Sequence, residues 1–345
     1  MTTRSLPQPR VLFKVMGGPV IGMGQVIRSV ELASAWQAAG IEAAGFVCND
    51  DACSRAIVAA RGHRIWSDAR DFPNALIEAQ ADVLLFDQPG PHHPRCVEAH
   101  AIRPDLLLAA LDCFEMEHAD FDLIINLINH HPTLSAPLAP RVEYHEGPEF
   151  AIIRREFMAL GEVPRRPAGP ARKILVTFGG SDPQRHSVRV LEALRGLDRT
   201  EITVIVGPNF PHRAEVFRLA QMSGAVCREN VEDMPDLMHD ADLALSGGGT
   251  TMLELAFLGT PALIIPQNEA EARFSASIAA RDAVRTLRAD LGPAELRRDV
   301  LDLLGDAATR ERMSAAARQT VDGRGESRIA GLILNALSRR QTIPA

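Results

Sequence analysis

The run Ala241-Asp242-Leu243-Ala244-Leu245-Ser246-Gly247-Gly248-Gly249-Thr250-Thr251 decides how this chain folds. Ala241–Ser246 is apolar enough for a buried strand, three glycines follow, and a helix runs from about Thr251 to Leu258. Gly259 and Pro261 end that helix, and Ala262–Ile265 is a further buried strand stopped by Pro266. Strand, glycine turn, helix and strand make a βαβ unit, which sets the two strands parallel in one sheet. Glycines at such a turn let the backbone approach an anion closely, and the helix start offers it unpaired N–H groups. Ser246, Gly247, Gly248 and Gly249 therefore read as a diphosphate cradle, with Thr250 and Thr251 able to bond phosphate oxygens or to cap the helix. Glu254 lies one turn in, where a carboxylate can hold ribose hydroxyls. A tight turn followed by a solvated glutamate is the plainer alternative.

The same alternation extends outward in both directions. Lys173–Phe178 reads as a strand, Gly179-Gly180-Ser181-Asp182-Pro183 as a tight turn, Gln184–Leu197 as a helix, and Ile202–Val206 as a strand before Gly207-Pro208. In the first half, Arg10–Met16 is a strand, Gly17–Gly24 a glycine loop, and Gln25–Ala39 a helix stopped by Gly40. Ala43–Cys48, Val83–Phe86, Leu106–Leu111 and Leu123–Ile125 continue as strands, with a helix over Ala52–Arg61. Gly161–Arg172 is rich in proline, glycine and arginine and reads as a linker. The expected class is α/β: a GT-B-like plan of two doubly wound, Rossmann-like domains, residues 1–160 and 173–345, joined by residues 161–172. Ligand is expected at the carboxyl ends of the strands, in a cleft between the domains.

Charge and composition narrow the function. The formal net charge is −7 with no sustained Lys/Arg block, which argues against nucleic acid as a partner. Met1–Arg10 lacks the apolar core of a signal peptide, and no apolar run approaches the roughly 18 residues of a membrane span. The five cysteines form no C-x-x-C pair, so neither a disulfide framework nor a zinc site is indicated. A cytoplasmic protein with reduced thiols is the plain expectation.

Three further stretches carry chemistry. The turn containing Gly180 and Ser181 can reach phosphate, although Ser-Asp-Pro is equally a helix-start signal through Asp182. Gly17-Gly18-Pro19-Val20-Ile21-Gly22-Met23-Gly24-Gln25 is not a Walker A loop, since Met23 stands where lysine is required. Nor does it complete a dinucleotide fingerprint, because Ile27 occupies the third glycine position; only Asp50 and Asp51 after the second strand keep a dehydrogenase in play. A substrate loop using Gly22 and Gly24 is the remaining reading. Asp87 ends a buried strand, and His92-His93 follow in a proline-rich loop, a suitable place for a catalytic histidine or simply for surface ones. His130-His131 and His145 read as polar loop residues.

Taken together, these motifs resemble a known family. The glycine loop with Arg28, the run from Glu146 to Arg154, Phe178–Asp182, Gly207–His212, Ser246–Thr251, Ile265-Pro266-Gln267 and Asp322–Gly325 look like the UDP-sugar hydrolases of the pseudaminic-acid pathway and their spore-coat-polysaccharide relatives. More distantly the chain is similar to the GT-B N-acetylglucosaminyltransferase that makes lipid II. The resemblance implies a UDP-sugar substrate, the nucleotide held by the C-terminal domain, and sugar or acceptor handled by the N-terminal one. It places Glu254 near the ribose, Gln267 and Asn268 near the sugar or diphosphate, and Gly207 and His212 beside the nucleotide. It requires no metal or redox cofactor.

Two positions depart from that family. Its glycine loop ends in Gly-His, the expected catalytic base, where this chain has Gln25; a tyrosine expected after the strand-end aspartate is replaced by Gln88. Glutamine cannot accept a proton at neutral pH, yet it can orient water or a sugar hydroxyl. Gln25, Asp87 and His92 are thus the candidate catalytic residues. The expected activity is hydrolysis of the anomeric C–O bond with release of UDP. Glycosyl transfer to an acceptor sugar or protein and a catalytically silent nucleotide-sugar-binding protein are the alternatives.

Overall fold

The computed structural model describes residues 8–18, 22–88, 90, 92–113, 120–127, 142–165 and 169–342. Two compact units are present, Met1–Ile152 with Arg324–Ala345, and Ile153–Gly323.

The first unit runs β1 (Arg10–Val15), α1 (Gly24–Ala38), β2 (Glu42–Cys48), α2 (Ala52–Ala60), β3 (Ile65–Ser67) and α3 (Asp68–Glu78). It continues with β4 (Val83–Asp87), α4 (His93–Ile102), β5 (Leu107–Leu111), β6 (Leu123–Asn126) and β7 (Glu143–Glu146). The seven strands are ordered β3-β2-β1-β4-β5-β6-β7, and every pairing is parallel. Parallel strands buried on both faces read as continuous apolar runs, as in Val83-Leu84-Leu85-Phe86, all fully buried.

The second unit contains α5 (Arg155–Gly161), β8 (Lys173–Thr177), α6 (His186–Leu194), β9 (Glu201–Ile205), α7 (Arg213–Ser223), β10 (Val226–Arg228) and α8 (Met234–Asp240). Then follow β11 (Leu243–Ser246), α9 (Thr250–Leu258), β12 (Ala262–Ile264), α10 (Glu269–Ala279), β13 (Arg285–Thr286), α11 (Pro293–Gly305) and α12 (Ala307–Thr320). Its six parallel strands are ordered β10-β9-β8-β11-β12-β13.

The last helix, α13 (Gly325–Thr342), belongs to the first unit, unlike the expected division at residues 161–172. Its apolar face explains the return: Ile329 and Ile333 are fully buried in the core that holds Trp36 and Phe150. A Cβ on Gly325 would come within 2.1 Å of the Ala151 carbonyl oxygen, so only glycine lets this helix start there. The proline-rich stretch is fastened to the second unit. Arg165 donates to the His239 carbonyl at 2.6 Å and to Thr260 Oγ1 at 2.8 Å, and Arg318 donates to the Gly161 carbonyl at 3.0 Å.

Both sheets reverse their winding at one point, between β1 and β4 in the first and between β8 and β11 in the second. In open α/β sheets that reversal opens a crevice at the carboxyl ends of the strands. All four of the bordering loops are ones that the sequence marks by glycine or by a strand-end aspartate.

Candidate functional site

In the second unit the crevice is bordered by the loop after β8 and the turn after β11. Gly179, Gly180 and Ser181 are exposed, and Gly179 has φ +71°, a conformation suited to glycine. Gly207 comes so close that an added Cβ would lie 2.4 Å from the Gly179 oxygen and 2.5 Å from the Gly180 oxygen. Asn209 N–H donates to the Gly180 carbonyl at 2.9 Å, locking the two loops together. Asp182 is fully buried and caps α6, accepting from the N–H groups of His186 at 2.8 Å and Ser187 at 2.9 Å. It also receives His212 Nε2 at 3.1 Å, while His212 Nδ1 is buried without a hydrogen-bond partner. The structure thus brings His212 to Asp182 and so to the Gly180-Ser181 loop.

After β11 the expected succession of glycine turn and helix is present. Ser246, Gly247 and Gly248 are buried, Gly249 precedes α9, and Thr250 is exposed at the first helical position. The N–H groups of Gly249, Thr250 and Thr251 meet no protein acceptor among the described residues, as expected of a helix start with no side-chain cap. Ser246 Oγ and Gln267 Oε1 are likewise buried without partners. Gln267 Nε2 donates to the Phe178 carbonyl at 3.2 Å, tying this side of the crevice to β8. Asn268 caps α10, its side chain accepting from Glu271 N–H at 2.9 Å, so its oxygen is committed to the helix.

Glu254 departs from the solvated alternative. It is 6% exposed, and both its oxygens are engaged by Arg154, at 2.6 Å from Nε and 3.1 Å from Nη2. Burial pushes its carboxyl above the ordinary range, and the guanidinium opposes that shift. An ionised carboxylate has about four acceptor positions, so this pairing leaves room for two hydroxyl donors. Sequence reasoning missed Arg154 as its partner; the arginine is a hundred residues away and only its place in the Glu146–Arg154 motif hinted at it.

The first unit's crevice is built differently. Gly18 and Gly22 exchange backbone hydrogen bonds of 3.1 and 2.8 Å across the glycine loop, and Asn49 braces Gly17 through both its side-chain atoms. Pro19, Val20 and Ile21 lie outside the described residues. Gln25 sits half-buried in the first turn of α1, next to the exposed Gly24. Asp87 is fully buried, and its carboxylate binds Arg28 Nε at 2.9 and 3.0 Å and Ser29 Oγ at 2.7 Å. Arg28 also pairs with Asp112, which in turn accepts from Leu127 N–H at 2.9 Å. Burial raises the Asp87 carboxyl above its usual range against the pull of Arg28.

These contacts bear on three expectations. Asp87 is buried against Arg28 and Ser29, with both oxygens in use. His92 is not a surface residue: it is 1% exposed, packed edge-on between Phe86 and Phe121, with Nε2 3.0 Å from the Gln88 carbonyl oxygen. Asp50 and Asp51, the basis of the dehydrogenase option, are committed to local structure. Asp51 caps α2 through Ser54, and Asp50 binds Ser67 and Arg70. His145 lies 2.9 Å from Glu143, whereas His130 and His131 fall outside the described residues. Among the described residues no three His, Cys, Asp or Glu side chains converge as metal ligands, and no helix is long and apolar enough to cross a membrane.

Residues 174–327 match the glycosyltransferase family 28 C-terminal domain. The matched span covers both glycine turns and Glu254, the set that the second unit brings together. The chain is 27% identical over 274 residues to an uncharacterized protein of Methanocaldococcus jannaschii, covering 73% of this chain and 54% of that one. It is 28% identical over 199 residues to the spore coat polysaccharide biosynthesis protein SpsG of Bacillus subtilis, covering 55% and 57%. A third similarity, 39% over 111 residues and 31% of each chain, is to a UDP-N-acetylglucosamine–N-acetylmuramyl-(pentapeptide) pyrophosphoryl-undecaprenol N-acetylglucosamine transferase of Corynebacterium efficiens. The chain spans little more than half the length of the first two relatives. Among solved structures, MurG of Acinetobacter baumannii superposes with a TM-score of 0.69 at 14% identity, covering 95% of this chain and all of that one. The expected GT-B-type plan of two doubly wound α/β units is borne out.

Proposed function

We propose that this chain is an enzyme of glycan biosynthesis that transfers a glycosyl group from a UDP-sugar to an acceptor hydroxyl. The observation that carries the reading is the second unit's crevice. Two glycine turns, an unpartnered helix start and a buried glutamate meet at one reversal point, within a segment that resembles a glycosyltransferase domain. The diphosphate lies against the N–H groups of Gly249, Thr250 and Thr251, with Ser181, Ser246 and Gln267 as further polar contacts. Ribose hydroxyls donate to Glu254. In the reaction the bond between the anomeric carbon and the β-phosphate oxygen breaks, its electron pair leaving with UDP. A new bond forms from that carbon to the acceptor oxygen, whose proton passes to solvent or to the departing phosphate.

The likeness of residues 174–327 to a glycosyltransferase domain favours transfer over hydrolysis, as does Gln25 where the resembled hydrolases carry their base. Hydrolysis of the same bond, the activity implied by the resemblance to the pseudaminic-acid pathway enzymes, is the second reading, and the SpsG similarity keeps it in view. Incubation with a panel of UDP-sugars, following UDP release with and without saccharide acceptors, separates the two. Acceptor-dependent release supports transfer; equal release without acceptor supports hydrolysis. If Gln25 stands where a hydrolytic base has been lost, Gln25→His raises acceptor-independent release, by about 10²-fold or more if base catalysis is fully restored. No release from any UDP-sugar removes both readings.

A further inference from the structure

The anion seat at the start of α9 is already partly occupied. Glu271, in the first turn of α10, accepts from Gly248 N–H at 2.8 Å and from Gln267 N–H at 2.9 Å, both through Oε2. A Cβ on Gly248 would meet the Glu271 backbone oxygen at 2.8 Å and its Cβ at 3.0 Å, and one on Gly249 would lie 3.8 Å from Oε1. The carboxylate therefore lies on the glycine turn itself. No Lys or Arg pairs with Glu271 among the described residues, so two backbone N–H groups hold its charge. Those are the kind of donors that a phosphate oxygen uses.

We propose that Glu271 is an internal occupant of this seat, which a ligand diphosphate must displace, so that the chain sets its own donor affinity. The inference rests on the UDP-sugar reading above. A diphosphate on the N–H groups of Gly249, Thr250 and Thr251 brings its charge beside the carboxylate held on Gly248, one residue away, and an unmoved carboxylate there repels it. Displacement turns the Glu271 side chain, which is half-buried, away from the two N–H groups. A ligand without phosphates leaves the carboxylate in place.

The test is calorimetric titration of UDP, UDP-N-acetylglucosamine, inorganic pyrophosphate and uridine into the wild-type protein, Glu271→Gln and Glu271→Ala, with melting curves confirming that all three are folded. Both variants are expected to bind UDP and pyrophosphate about tenfold more tightly, a change of about 1.4 kcal/mol, and uridine unchanged. Glu271→Gln shows the larger gain, since its amide can donate to phosphate. UDP binding that is equal or weaker in both variants overturns the proposal: the carboxylate then either lies outside the site or builds the turn. Weaker binding of UDP-N-acetylglucosamine with UDP unchanged also overturns it, making Glu271 a sugar-holding group. If UDP binds with one affinity throughout, only the occupant role falls. If neither wild type nor variants bind UDP at all, the donor reading falls and takes this inference with it.

Discussion

The two crevices share a topology and differ in how they treat charge. At the carboxyl edge of the first sheet, side-chain charges are paired and shut away. Arg28 is held between Asp87 and Asp112, and the buried Lys14 donates to Gln88 at 2.7 Å and pairs with Asp68 at 3.0 Å. Burial pushes the Lys14 ammonium below its ordinary value, with Asp68 opposing. At the edge of the second sheet the polar groups are mostly backbone N–H, together with side-chain atoms left without partners at Ser246, Gln267 and His212. Paired charges hold the shape of the first edge from within, whereas the second leaves the N–H groups at the start of α9 without a protein acceptor among the described residues. The same winding thus yields a braced edge in one unit and a receptive edge in the other.

The largest effect is expected where the braced edge is cut. Arg28→Met leaves Asp87 buried without its counter-charge, which costs about 3–5 kcal/mol in folding stability. Urea unfolding measures it. Adding Asp87→Leu removes the stranded charge and recovers part of the loss, while UDP affinity of the folded fraction stays at the wild-type value. A variant that is as stable as wild type but loses turnover breaks the comparison, because Arg28 is then a ligand group and the first edge is receptive too.

A smaller effect tests the receptive edge. Glu254→Gln weakens UDP by about 1–3 kcal/mol, the worth of charge-assisted hydrogen bonds to ribose. Turnover at saturating donor changes little, because a uniform binding loss appears in KM. Arg154→Met acts through the same carboxylate: without the guanidinium, burial raises its pKa further, and ribose binding needs the ionised form. UDP affinity of that variant then falls as pH drops through the raised value, whereas the wild type holds its affinity to lower pH. If kcat collapses in Glu254→Gln while UDP affinity survives, the glutamate belongs to the chemistry and not to the nucleotide.

What was legible in the sequence follows from this contrast. Apolar runs and glycine turns are local signals, so β1, β4, β8 and β11 and the four loops that follow them were found within one or two residues. The short strands β3, β10 and β13 escaped because each is two or three residues with a polar one among them, whereas the equally short β12 lies in an unbroken apolar run. β7 escaped because Glu143-Tyr144-His145-Glu146 is a polar edge strand. Partnerships across long separations were not legible: Arg28 with Asp87, Arg154 with Glu254, and Glu271 on Gly248 join positions 59, 100 and 23 residues apart. His92 misled because a histidine after a strand-end aspartate looks catalytic, while its burial between Phe86 and Phe121 is a tertiary fact. The return of α13 had a local trace in its apolar Ile329 and Ile333, but nothing in the sequence says which core they join.

The smallest effect concerns the junction where the chain re-enters the first unit, and it sharpens the contrast by asking where the fold titrates near neutral pH. Glu326 opens α13, its backbone oxygen accepting from Trp36 Nε1 at 2.9 Å. Burial pushes its carboxyl up to about 7, and the charge of Glu31 adds to the shift. The helix start favours the ionised form, but burial outweighs it here. A carboxyl raised in the folded state binds its proton more tightly there than in the unfolded chain. Its contribution to stability is therefore complete below the ordinary glutamate value and is lost as pH rises through about 7. Raising the pH from about 5 to 8 should loosen α13, on the order of 1 kcal/mol once solvent screening of a partly exposed group is allowed for. Hydrogen exchange of the α13 amides, corrected for intrinsic pH dependence, reads this locally, and Glu326→Gln should flatten the profile. An equal slope in that variant would move the titration elsewhere. If it moved to the second unit's crevice, the receptive edge and not the α13 junction would carry the pH response.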